Sequence, residues 1–225
     1  MREIVLDTET TGLDPLRGDR IVEIGCVELV NHVASGNIFQ SYINPECDMP
    51  EGAYRIHGLS TQFLADKPVF AAVADDFLAF VADDRLVIHN AGFDLGFLNA
   101  ELEKLGKQPF PALRAIDTVS LARRKNPGAP ASLDALCRRF DIDNSERTKH
   151  GALLDAELLA EVYLELIGGR QAALALSTDQ ARQPSNEGEV HNNDAKSPRP
   201  HEPSTEEKAA HAAFIATLND PIWNS

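Results

Sequence analysis

Basic residues are scarce in this chain. Over 225 residues, 21 Lys and Arg stand against 35 Asp and Glu, a formal net charge of −14. Such a balance excludes binding nucleic acid through a broad basic surface. Cysteine is sparse too. Cys26, Cys47 and Cys137 lie far apart and form neither a Cys-x-x-Cys nor a Cys/His zinc pattern, so they read as reduced thiols of a cytosolic protein. No apolar run approaches ~18 residues, which argues against a membrane span. The first residues enter a strand directly, with no charged-then-apolar leader. No Gly-x-Gly-x-x-Gly follows the first apolar run, so a Rossmann nucleotide site is not expected.

What the chain does have is three short motifs, each placing a carboxylate where a folded core favours a neutral group. The first is Asp7-Thr8-Glu9-Thr10-Thr11-Gly12, after the apolar run Ile4-Val5-Leu6. That run reads as a buried strand, and alternation puts Val5, Asp7 and Glu9 on one face. The two carboxylates are then roughly 6.5–7 Å apart along the strand, a separation that fits flanking one metal ion or reaching toward a second. Thr8, Thr10, Thr11 and Gly12 are expected to end the strand and turn the chain, with Gly12 allowing close approach of substrate or backbone. Alone, Asp-x-Glu more readily describes a strand end exposing two acids to water.

The second motif is His89-Asn90-Ala91-Gly92-Phe93-Asp94, following the strand-like Arg85–Ile88. Helical spacing begins at Phe93, and Phe97, Leu98 and Leu102 lie three, four and eight residues beyond Asp94. Asp94 therefore shares the apolar face of its helix. An ordinary acid at a helix start, favoured by the dipole, is the equal alternative for this motif alone. The third motif, His150-Gly151-Ala152-Leu153-Leu154-Asp155, repeats the pattern, with Leu158, Leu159, Val162 and Leu166 following at helical spacing. His150, five residues before Asp155, is off that face and is expected on the preceding loop. A lone loop His is usually a solvent-facing residue, but here three inward acid motifs accompany it. Burying unpaired carboxylates is costly, so a cluster of them points to a bound cation.

Along the chain, strands are expected at residues 2–7, 20–30 and 36–43 as a meander, with further strands at 85–89 and 114–117. Helical spacing covers 51–56, 60–65, 69–82, 93–105, 118–125, 132–140 and 152–167. Strands first, then strand–helix alternation, predict an α/β fold with a mixed sheet flanked by helices. Gly168-Gly169 closes this region. Residues 177–203 turn to Ser, Asn, Gln, Glu and Pro, a composition unable to bury enough surface to fold. Ser204-Thr205-Glu206-Glu207 then has capping-box spacing, followed by Ala210, Phe214, Leu218 and Trp223. This segment is expected either to dock in a hydrophobic groove of a partner or to pack back on its own domain.

In order and spacing, the three motifs resemble the DEDD superfamily of 3′→5′ exonucleases, in the branch with a His in its third motif. The resemblance spans about residues 2–168. Within that branch the chain is similar to the proofreading subunits of bacterial DNA polymerase III. The similarity is carried by Asp7-Thr8-Glu9-Thr10-Thr11-Gly12-Leu13, Arg20-Ile21-Val22-Glu23-Ile24-Gly25, Tyr54-Arg55-Ile56-His57-Gly58 and Ala115-Ile116-Asp117-Thr118. The resemblance implies a ribonuclease-H-like fold and a catalytic domain at 1–169. It makes Asp7, Glu9, Asp94 and Asp155 the ligands of two divalent ions, Mg²⁺ or Mn²⁺, and His150 the general base. Asp7 is the bridging ligand in that scheme, joined by Glu9 and Asp155 at the ion that binds the attacking water and by Asp94 at the ion beside the leaving oxygen. All-oxygen ligands favour these ions over zinc. His57 and the backbone near Gly52 would touch the terminal nucleotide along with Asp7, Glu9 and Asp155; the family often has an acid at the position of Gly52.

The implied partners are a DNA 3′ end, single-stranded or mispaired, and the polymerase III alpha subunit through residues 204–225. A sliding clamp through Gln171–Leu176 and a small theta-like subunit complete the set. Residues 170–203 would be a disordered linker, the tail a docking helix, and the location the bacterial cytoplasm at the replication fork. Gln171–Leu176 reads equally well as the frayed end of the preceding helix. The basic residues leading into His150, Arg147 and Lys149, are placed to meet the DNA backbone. A stand-alone exonuclease acting on RNA or in DNA repair is the nearest alternative, and the tail argues against it. A non-catalytic scaffold is another, and the intact set of five residues argues against that.

Overall fold

The computed structural model describes residues 1–147, 149–169 and 203–217. The chain divides into two units, Met1–Leu176 and Ser177–Ser225. In the first, one sheet is built from β1 (Arg2–Thr10), β2 (Ile21–Val30), β3 (Val33–Tyr42), β4 (Arg85–Ile88) and β5 (Ala115–Asp117), in the order β3-β2-β1-β4-β5. The meander pairs antiparallel, whereas β4 joins β1 and β5 joins β4 in parallel. This is the mixed α/β sheet that the motif order predicts.

Helices cover both faces. They are α1 (Glu51–His57), α2 (Thr61–Leu64), α3 (Phe70–Val81), α4 (Ala91–Lys104), α5 (Thr118–Lys125), α6 (Leu133–Phe140) and α7 (Ala152–Leu166). Alternation along β1 divides the core. Ile4 and Leu6 pack with Phe70, Phe77, Leu98 and Leu102 of α3 and α4. Val5 packs with Leu136, Leu159, Val162 and Leu166 of α6 and α7. Phe70, Phe77 and Phe97 are fully buried, each contributing about 1.5–3 kcal/mol of apolar burial. The central strand is thus clamped from both sides, and its C-terminal end is a rigid place to mount chemistry.

Two boundaries differ from the sequence expectation. β1 runs on to Thr10, because Thr8, Glu9 and Thr10 stay paired with β2 as far as a register shift at Glu9/Thr10. β3 starts at Val33, its exposed first half held by pairing with β2 and not by burial. Gly12 sits against the Asp19 carboxylate, which a Cβ would meet at 2.2 Å, so its close neighbour is a side chain.

In the second unit, α8 (Thr205–Ile215) opens with the expected capping box. Ser204 Oγ accepts from the Glu207 N–H, and the Glu207 carboxylate accepts from the Ser204 N–H. Residues 170–202, including Gln171–Leu176, and the tail from Leu218 through Trp223 lie outside the described residues. Among the described residues, no helix is long and apolar enough to cross a membrane.

Candidate active site

The site gathers at the C-terminal end of β1. Asp7 faces Gly25 and Glu9 faces Glu23 across the β1–β2 pair. Gly25 has a specific purpose there: a Cβ on it would lie 2.3 Å from the backbone of Ala152 and Leu153. Only glycine lets the start of α7 rest on the sheet at this point. Glu23 fixes that contact by accepting the Ala152 N–H at 3.2 Å. Asp155, in the first turn of α7, is thereby delivered to the carboxylates of β1, and it is buried.

Asp94 arrives from the other face. Asn90 precedes α4 in the left-handed conformation, φ 66°, and its N–H donates to Asp117, which also caps α5. The helix then begins at Ala91, two residues earlier than its apolar spacing indicates, and Asp94 falls in its first turn. Asp94 is buried, and its Oδ1 accepts both the Thr8 N–H at 3.0 Å and the Thr8 hydroxyl at 2.7 Å.

His150 lies on the loop before α7, as expected, with its side chain 46 % exposed. Its N–H donates to the Ile56 carbonyl at 3.2 Å, tying that loop to α1. Donor atoms of Glu9, His150 and Asp155 all fall within 4.8 Å of one another. Asp7 and Asp94 are not members of that tight cluster; they join it through charge.

The electrostatics are those of acids short of counter-charge. Burial, then the charges of Asp94, Glu9 and Asp155, push the Asp7 carboxyl well above its usual range. Glu9 is raised to about 8 by burial and by the charges of Asp155 and Glu23. Asp94 is raised by burial, against the hydrogen bonds of Thr8. Asp155 is the exception. Burial works to raise it, but the Arg147 guanidinium paired with both its oxygens, with the His150 ring beside it, brings it below its ordinary value.

Beside the acids is a pocket of about 490 Å³ lined by Glu9, Thr10, Leu13, Gly52, His57 and Phe93, among others. His57 is buried; its Nδ1 accepts the Leu59 N–H at 3.0 Å, so the neutral ring carries its proton on Nε2. That Nε2 has no hydrogen-bond partner among the described residues. Gly52 has open space where a Cβ would go, so an acidic side chain would fit at that position.

One sequence expectation is overturned. Arg147 does not face solvent for a DNA backbone; its side chain is 8 % exposed and paired with Asp155 and Asp134. Lys149 stacks over the Tyr54 ring, 5.3 Å from its centroid. Charge alone said "surface", because pairing between residues distant in sequence is invisible in composition. Gly25 and Glu23 also went unrecognised as site builders, although a glycine inside an apolar strand is a known sign of close backbone approach.

A sheet carrying inward acids at the end of its central strand, with a loop His beside them, is built for metal-assisted hydrolysis of a phosphodiester. The RNase T exonuclease family model matches residues 4–163. The fold is shared with the nuclease domain of 3′hExo, a DEDDh family member bound to rAMP, at TM-score 0.65 and 18 % identity, covering 74 % of this chain and 91 % of that one. The DNA polymerase III subunit epsilon of Rickettsia felis is 52 % identical over 223 residues, 97 % of either chain. That of Escherichia coli is 47 % identical over 186 residues, 79 % of this chain and 76 % of that one. This chain belongs to the DNA polymerase III epsilon subunit family, the proofreading exonucleases of that polymerase.

Proposed function

We propose that this protein removes mispaired 3′-terminal nucleotides from DNA by metal-dependent hydrolysis, with Asp7, Glu9, Asp94 and Asp155 holding two divalent ions. The observation that carries this reading is the gathering of Asp7, Glu9, Asp94 and Asp155 at the end of β1, where burial first and then the charges of the neighbouring acids raise Asp7 and Glu9. Oxygen donors of this kind fit Mg²⁺ or Mn²⁺. When bound, such ions neutralise the phosphate and lower the pKa of water.

The protein's own groups do the rest. His150 accepts the proton of the attacking water, as a neutral imidazole with a free ring nitrogen can. His57 lines the pocket and donates its Nε2–H to the terminal nucleotide, and the backbone at Gly52 lines the same nucleotide. Asp94, fastened to Thr8, keeps its carboxylate fixed while the substrate enters. The product is a nucleoside 5′-monophosphate.

Residues 1–169 act as the exonuclease domain, 170–203 as a linker and 204–225 as the segment that binds the polymerase III alpha subunit in the bacterial cytoplasm. Residues 171–176 engage a sliding clamp, and a small theta-like subunit is a further partner. Tethering supplies the effective concentration at a primer end that an acidic surface does not. The test is hydrolysis of 3′-mispaired DNA and of a matched RNA oligomer by wild type and Asp7→Ala, in Mg²⁺, Mn²⁺ or chelator. Metal-dependent release of 5′-monophosphates from DNA, lost in the variant, is expected. Hydrolysis that survives in Asp7→Ala contradicts the assignment, and a strong RNA preference moves the protein to RNA trimming.

A further inference from the structure

Arg147 makes an unusual set of contacts for a residue beside metal ligands. Its Nε and Nη2 donate to Asp155 Oδ1 and Oδ2 at 2.5 and 2.6 Å, a two-pronged pair. Its Nη1 donates to Asp134 Oδ1 at 2.8 Å, anchoring the guanidinium to α6. Its Nη2 also lies 2.8 Å from His150 Nδ1. A guanidinium only donates, so Nδ1 accepts in that contact and the neutral ring carries its proton on Nε2. The single lone pair of His150 is then engaged by Arg147. One side chain therefore covers both oxygens of a ligand acid and the basic nitrogen of the proposed general base.

We propose that Arg147 is an internal competitor of the divalent ion: it holds Asp155 and His150 as a resident cation, and metal binding displaces it from both. This rests on Asp155 being a metal ligand and His150 a base. Arg147 and a divalent ion want the same carboxylate, and two cations on one buried acid repel each other. Displacement also returns the Nδ1 position to Asp155 Oδ2, 3.2 Å away. With Nδ1–H donating there, the lone pair moves to Nε2, where a water can be deprotonated. The arrangement keeps the acids folded when metal is scarce and lowers the affinity of the site for metal.

The opposite role is equally definite. A residue that supports a metal ligand from outside typically costs 10–100-fold in metal affinity when mutated. A competitor does the reverse. The experiment measures Mn²⁺ binding by calorimetry and melting temperature in chelator, on the full chain, for wild type, Arg147→Lys and Arg147→Gln. The expected order of Mn²⁺ affinity is Gln over Lys over wild type, with Gln about tenfold tighter than wild type, and the reverse order for melting temperature in chelator. Lysine keeps one charge without the fork, so it supplies the answer if the glutamine variant does not fold. Unchanged or weaker Mn²⁺ binding in both variants, with wild type binding normally, overturns the proposal and leaves the metal site standing. Wild type that binds no Mn²⁺ removes the metal site itself, and this inference with it.

Discussion

The two ends of β1 both bury carboxylates, and they treat them in opposite ways. At the N-terminal end, Glu3 is 1 % exposed and is met by the Tyr163 hydroxyl at 2.9 Å and by His32 Nδ1 at 2.7 Å. Its neighbour Glu28 accepts from Ser35, Arg2 and Asn37, which together bring its carboxyl to about 2. At the C-terminal end, Asp7 and Glu9 face mainly other acids and rise. Buried charge normally comes with its own partners. The fold supplies Glu3 and Glu28 with partners of their own; it leaves Asp7 and Glu9 without them, as the proposed metal site requires.

The sharpest way to break this contrast is at the loop histidine. His150→Gln is expected to lower the hydrolysis rate on mispaired DNA by roughly 10²–10⁴-fold, since it removes the proposed general base. The melting temperature stays put, because the side chain is half-exposed. A large loss of stability would assign His150 to the fold. Next is Gly25→Ala, which forces a Cβ into the backbone of α7. Overpacking of this kind costs about 1–3 kcal/mol, and activity falls with it because Asp155 is carried on that helix. Urea denaturation alongside initial rates checks both.

At the other end, Tyr163→Phe leaves Glu3 short of a donor. The expected cost is about 1–3 kcal/mol of stability, with the hydrolysis rate unchanged. A rate loss matching that of the site variants would erase the distinction between the two ends.

The smallest effect is the slope of stability with pH, and it has opposite signs at the two ends. Glu28 has a folded pKa near 2 against an ordinary 4.5, so its contribution is complete above 4.5 and is lost as pH falls toward 2. Glu9 is raised from 4.5 to about 8, so the folded state binds a proton that the unfolded state has released. Its contribution is complete below 4.5 and is lost as pH rises through 8. Chemical denaturation in chelator across this range should show both slopes for wild type, and Glu9→Gln should remove the alkaline one.

Much of this was legible in the residues. The periodicity of Ile4–Glu9, Phe93–Leu102 and Ala152–Leu166 located the strand and both helices that carry the acids, and the order of motifs predicted a mixed sheet. Apolar spacing reports which face is buried, so it placed Asp94 and Asp155 inward correctly. It does not report which buried acids find partners. Glu3, Glu23 and Glu28 sit in strands as deeply as Asp7 does, and their donors come from elsewhere in the chain. The pairing of Arg147 is invisible in the sequence for the same reason: its partners Asp134 and Asp155 belong to two different helices, and only the packing of α6 against α7 brings them together.

The most direct test of the contrast is the melting temperature of wild type and Glu9→Gln at pH 8, in chelator and in excess Mg²⁺. The account predicts that Glu9→Gln is at least as stable as wild type in chelator, because a repelling charge is gone, and that it loses the rise Mg²⁺ gives wild type. A variant less stable in chelator that keeps the full Mg²⁺ response would place Glu9 with Glu3 and Glu28 as an acid of the fold, and the contradiction would be complete.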